Sequence, residues 1–207
     1  MLRPKQSLNL LDTILQVDKR KGKFLPDSKL SICAANDFSV MPHPVIIVPG
    51  MLVSGNISLA NVKRFLEDGL YEEQGSAATM ESALQPSHMV TVKRRIGNRT
   101  VTFDVYDSVT NFTESRWTRV VAVFVNGQDW QFKEWKKHDS KRELFARVRG
   151  FYMHYANTQI PPTINTWNIK RLELQRHKRH HDVNIRNNFW TDLEEFLRRD
   201  KFQGCDF

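Results

Sequence analysis

The sequence predicts an α/β domain built on a mixed, mostly parallel sheet with helices on both faces. Three observations predict it. Val120 to Val125 is an unbroken apolar run, mostly β-branched, the pattern of a strand covered by helices on both sides. Val45 to Val48 is a second such run. Amphipathic helical stripes lie between and after the runs, and strands alternating with helices build parallel sheets.

Composition narrows the class. The chain has 207 residues, enough for one domain and an extension. Hydrophobic residues make up 40% and aromatics 11%, which supports a packed core and excludes global disorder. The net charge of +8 and a pI near 9.6 favour anionic partners: nucleic acid, phosphorylated peptide or acidic protein. Cys33 and Cys205 lie far apart without metal-ligand spacing, as expected of a reducing compartment. No apolar run approaches the roughly 18 residues of a membrane span. Asp12 interrupts the only apolar stretch near the N-terminus, so no signal peptide is expected. The three sequons, at Asn56, Asn98 and Asn111, then read as chance matches.

Taken in order, residues 1–43 read as an extension. Ser7 to Val17 has the stripe of a short helix, Lys19 to Lys23 is a basic run, and a linker follows to Pro44. A helix that short needs a partner surface. The domain, residues 44–207, opens with the Val45–Val48 strand. Ser58 then caps a helix whose stripe is Leu59, Val62, Leu66 and Leu70, with Phe65 beside it. Tyr71 to Ser87 reads as a polar, mobile loop. His88–Ile96 and Arg99–Asp107 read as a hairpin around Gly97-Asn98, because Val101, Phe103 and Val105 alternate with polar residues. The central strand ends at the Asn126-Gly127 turn, and Trp130, Phe132 and Trp135 follow at once. Ser140 and Glu143 form a capping box, and Leu144, Val148, Phe151, Tyr152 and Tyr155 read as the stripe of the helix it opens. Pro161-Pro162 breaks the chain. Trp167 to Leu174 reads as a strand, Gln175 to His181 as a basic loop, and Ile185, Phe189, Leu193 and Phe196 as the stripe of a last helix.

If the strands ending at Val48, Val125 and Leu174 are parallel, three loops meet at one sheet edge: 49–56, 126–130 and 175–181. Ligands of open α/β sheets bind at that edge. The third loop brings Arg176, Lys178 and Arg179. Gly50 to Gly55 has the frame of a phosphate loop, but Asn56 and Ile57 stand where Lys and Ser/Thr are required. The Lys neutralises phosphates and the hydroxyl holds Mg²⁺, and neither function is present. Asn126-Gly127-Gln128-Asp129 echoes a guanine-reading N-K-x-D with Gly in place of Lys. The reading is a GTPase-like scaffold without the catalytic parts. His177, His180 and His181 have workable ligand spacing, but Lys178 and Arg179 would repel a cation. No metal or cofactor is expected.

Several blocks carry a family resemblance: PVIIVPG (44–50), SLANVKRFLEDG (58–69), RVVAVFVNGQDWQFKEW (119–135), ELFARVRGFYMHY (143–155), NTWNIKRLELQRHKRHHD (165–182) and NFWTDLEEFL (188–197). In this order they closely resemble the C-terminal domain of the parafibromin family, subunits of the RNA polymerase II-associated factor (PAF) complex. The resemblance covers roughly Pro44 to Phe202. It implies a Ras-like fold lacking nucleotide-binding residues and a non-enzymatic, nuclear role in transcription elongation and histone modification. It implies recruitment of the complex to chromatin through phosphorylated repeats of the polymerase tail and of an elongation factor, with other PAF complex subunits as partners. By position, Arg119 and Trp130 match residues of the family's functional surface, and Arg176, Lys178 and Arg179 match its basic stretch. Family members also carry a long N-terminal region, so the chain is expected to be a fragment, a truncated product or a short form.

Phosphate carries about −1.5 to −2 charges at neutral pH and pairs well with Arg. Arg119 and the 176–179 loop would supply charge, and Trp130 or Trp135 a flat face for proline or tyrosine of an extended, proline-containing repeat. Weak sites would gain strength from repeats on one tail. Arg119 and Trp130 flank a strand about 20 Å long, so they can lie at opposite edges. The rival readings are a nucleotide-binding switch, sequence-independent nucleic-acid binding, and a subunit scaffold.

Overall fold

The computed structural model describes residues 43–50, 56–77, 79–80, 88–133, 135 and 140–200. The expected N-terminal helix and basic run, and residues 51–55 of the first edge loop, lie outside the described residues.

Six strands form one sheet: β1 (Val45–Ile47), β2 (Met89–Ile96), β3 (Arg99–Tyr106), β4 (Val120–Val125), β5 (Arg149–Tyr155) and β6 (Ile169–Leu174). Their order is β2-β3-β1-β4-β5-β6. Among the described residues only the β2–β3 hairpin is antiparallel; every other pair is parallel. The helices with defined bounds among the described residues are α1 (Leu59–Asp68), α2 (Glu114–Trp117), α3 (Lys141–Arg147), α4 (Pro162–Thr166) and α5 (Asp182–Asp200).

Two apolar layers sandwich the sheet, as the unbroken runs require. All six residues of β4 are buried. Val121 and Phe124 face one layer, where Val62, Phe65 and Leu66 of α1 meet Phe189, Trp190 and Leu193 of α5. Val120, Val123 and Val125 face the other, with Leu144 and Phe145 of α3, Ile164 of α4 and Trp135. Burying each such aliphatic side chain contributes about 1.5–3 kcal/mol. Trp190 is fully buried, and its indole Nε1 donates to the Leu66 carbonyl at 3.0 Å, so the polar atom is satisfied inside the apolar layer.

Three expectations are corrected. The stripe from Val148 to Tyr155 is not helical. α3 ends at Arg147, Val148 is extended at φ −124, ψ 127, and β5 follows with Gly150 to Tyr155 all buried. A strand buried on both faces shows no alternation, so apolar spacing of three and four residues is ambiguous there. Gly150 breaks the ambiguity: an added Cβ would stand 2.3 Å from Ile169 Cγ2, so only glycine lets β6 pair here. Leu70 leaves the α1 stripe because Gly69 ends the helix in the left-handed region at φ 73, and Leu70 is exposed. The 71–87 segment is anchored at its start: Tyr71 is buried and its hydroxyl donates to the Asn56 carbonyl at 2.6 Å.

Candidate functional site

β1, β4, β5 and β6 are parallel, so the segments after them emerge at one sheet edge, and the turn after β3 joins them there. Two grooves lie along this edge. The first encloses about 570 Å³ and is walled by Pro49, Gly50, Asp107, Asn126, Trp130 and Lys133, among others. The second encloses about 410 Å³ and is walled by Pro49, Asn126, Tyr71, Glu73, Tyr155 and Arg176, among others.

Trp130 sits in a 3-10 turn, Asp129–Phe132, that the chain enters directly from β4. The Gln131 side chain fixes this turn: its amide accepts from the Asn126 N–H at 3.0 Å and donates to the Phe124 carbonyl at 2.8 Å. The three aromatics then divide their roles. Trp135 is buried and meets Trp117 and Phe132 edge-on at 5.1 and 5.2 Å. Trp130 stays 47% exposed over the first groove.

Arg176 and Arg179 leave β6 over a pair of tyrosines. The Arg176 guanidinium carbon is 4.1 Å from the Tyr155 ring centre, and Arg179 lies 5.0 Å from that of Tyr71. The two rings meet edge-on at 6.2 Å. Arg176 is exposed and pairs with Glu73 at 3.4 Å, while the Tyr155 hydroxyl donates to the same carboxylate at 2.5 Å. Arg179 serves the fold: it donates to the Tyr71 carbonyl and pairs at 2.8 Å with the buried Asp182. Lys178 is exposed. Burial, then the neighbouring Tyr155, pushes the Tyr71 phenol far above its ordinary value. Burial and the Glu73 hydrogen bond raise that of Tyr155. Burial also raises the Asp182 carboxyl, against the opposing pull of Arg179.

Arg119 is elsewhere. It precedes β4, and its carbonyl accepts from the Val45 N–H at 2.8 Å, so it stands at the opposite edge from Trp130. Its Nη1 donates to the His43 carbonyl at 2.6 Å and lies 3.7 Å from Asp104, which also holds His43 at 2.8 Å. With 15% of its side chain exposed, Arg119 ties the ends of β1, β3 and β4 together. The structure thus brings Trp130, Arg176 and Lys178 to one edge and leaves Arg119 at the other. Tyr71, Glu73 and Asp107 escaped sequence reasoning as site residues because their placement depends on long-range pairing.

The nucleotide echoes are occupied by structural ties. Asn56, at the phosphate-loop Lys position, donates to the Met153 carbonyl at 3.0 Å. Asp129, the acid of the guanine-reading echo, pairs with Lys141.

Fold and edge together define a Ras-like domain whose loops lack the nucleotide-handling side chains. Residues 40–196 match the family described as RNA pol II accessory factor, Cdc73 family, C-terminal. The chain belongs to the Cdc73 family. It is 32% identical over 157 residues to Cell division control protein 73 of Saccharomyces cerevisiae, covering 74% of this chain and 38% of that protein. It is 37% identical over 161 residues to the Protein CDC73 homolog of Arabidopsis thaliana, covering 75% and 38%. The solved conserved domain of yeast Cdc73 superposes with a TM-score of 0.68 at 30% identity, covering 77% of this chain and 99% of that one. The chain therefore spans well under half the length of the two curated relatives it matches.

Proposed function

We propose that this domain is a non-enzymatic module of the PAF transcription elongation complex that helps bring the complex to RNA polymerase II and chromatin in the nucleus. It does so by binding phosphorylated repeats of the polymerase tail or of an elongation factor, while other PAF complex subunits are its stable partners. Family membership supports the transcription setting. The observation that carries the binding reading is that Trp130 and Arg176 stand exposed at one sheet edge, each over a groove. An aromatic face suits the proline of an extended repeat, and an exposed guanidinium with Lys178 nearby suits its phosphate. Arg119 acts in this reading as a positioning residue of the opposite edge.

The test is a titration with matched phosphorylated and unphosphorylated repeat peptides, read by tryptophan fluorescence, with GTP and single-stranded DNA as controls. Saturable binding of the phosphorylated peptide alone is the expected result. Binding of DNA with a steep salt dependence and no preference for phosphopeptide would instead make the edge a nucleic-acid surface. A rise in melting temperature with GTP would make it a nucleotide site.

A further inference from the structure

Asn126 walls both grooves and is only 7% exposed. Its Oδ1 accepts from the Gln128 N–H at 2.9 Å. That bond fixes the amide, because reversing it would set N–H against N–H. Its Nδ2 is left buried with no hydrogen-bond partner among the described residues. A buried donor without an acceptor is costly and calls for an explanation. Asp107, across the first groove, is its counterpart: its Oδ1 is buried and accepts no hydrogen bond, with the exposed His88 ring nitrogen 3.7 Å away. The cation Lys133 lines the same groove. The grooves adjoin at Pro49 and Asn126, so together they make a trough that runs over these two residues, with Asp107 at one end and Arg176 at the other.

We propose that Asn126 donates from Nδ2 to a main-chain carbonyl of an extended peptide lying along this trough, between Trp130 and Arg176. This deepens the phosphopeptide reading and rests on it. The sheet supplies the ruler. Trp130 follows β4 and Arg176 follows β6, two strand spacings apart in the order β4-β5-β6. At about 4.8 Å per spacing this is about 10 Å, the reach of about three extended residues. Charge sets the direction. Asp107 accepts a hydroxyl or N–H at the Trp130 end, where it offsets the charge of Lys133, and Arg176, exposed with Lys178 two residues on, draws phosphate to the far end, displacing Glu73. The occupant is therefore a peptide with proline at Trp130 and its phosphate several residues away, not beside the proline.

The experiment measures binding of the repeat phosphopeptide to the wild-type chain and to Asn126→Asp. The variant keeps the acceptor that Gln128 needs but replaces the free donor with a second acceptor. Its Kd is expected to weaken at least about tenfold, the cost of an unmet buried polar group. A peptide with phosphate moved next to the proline is expected to weaken similarly. Equal binding of wild type and Asn126→Asp overturns this inference and leaves the phosphopeptide reading standing. No binding by the wild type overturns both. If Asn126→Asp fails to fold, the side-chain amide resonances of Asn126 in isotope-labelled wild-type protein decide. A shift on peptide addition supports the inference, and unmoved resonances overturn it.

Discussion

The guanidinium carbon of Arg176 stands 4.1 Å from the centre of the Tyr155 ring, whose hydroxyl holds the carboxylate that Arg176 also pairs with. The cation is thus pre-positioned on a rigid face while remaining exposed. Arg176→Ala is expected to change stability by less than about 1 kcal/mol, the range of exposed cation–π and ion pairs. Phosphopeptide Kd should weaken about tenfold, the range of a lost charge-assisted bond. A thermal melt and a titration read the two effects separately.

Arg119→Ala should do the reverse. It removes the bond to the His43 carbonyl and the contact with Asp104, so unfolding free energy should fall by about 1–3 kcal/mol. The folded variant should bind phosphopeptide as the wild type does. A variant that melts normally but binds weakly would move the phosphate site to the Arg119 edge.

The aromatic trio offers a paired test by denaturant unfolding. Trp135 is buried against Trp117 and Phe132, and its replacement by Ala should cost about 3–5 kcal/mol. Trp130 is half exposed, so Trp130→Ala should cost less than about 1 kcal/mol while abolishing most of the fluorescence response to peptide.

Tyr71 predicts a pH dependence. Burial raises its folded-state pKa above the ordinary phenol value of about 10, so the native state holds its proton more tightly than the unfolded chain. The associated stability is fully present below about pH 10 and is lost as pH rises through the folded-state pKa. Tyr71→Phe should cost about 1 kcal/mol at neutral pH, through the lost bond to the Asn56 carbonyl. It should also flatten the alkaline loss of stability. Tyrosinate absorbance followed alongside unfolding checks both.

Gly150→Ala tests the β5–β6 contact. The new methyl would meet Ile169 at 2.3 Å and the Phe145 ring at 2.9 Å. Overpacking of that kind should lower stability by about 1–3 kcal/mol, visible in the denaturant midpoint.

The central strand, the hairpin and the last helix were legible because their patterns are local: the unbroken run of β4, the alternation of β3, the stripe through Phe189 and Leu193. β5 was not, since Val148, Phe151, Tyr152 and Tyr155 satisfy a helical spacing and a doubly buried strand equally well. The edge was legible from where β1, β4 and β6 end. Its chemistry was only partly so. Arg176 and Trp130 announce themselves by type, but the free donor of Asn126 exists only because Gln128 takes its other atom, which no spacing records. The α2 helix, capped by Thr113, is too short to show a period.

The position of β1 also governs how the chain is made. Its partners are β3 and β4, so on the ribosome Val45, Ile46 and Ile47 wait, apolar on both faces, until residues beyond Val120 have emerged. Of the described elements, β6 and α5 are made last. Product cut short before Ile169 therefore presents β5, a buried strand, as an open apolar edge, which is what self-association and chaperone capture recognise. Shortened forms of this protein should be lost to the cell's quality control before any binding defect could be observed.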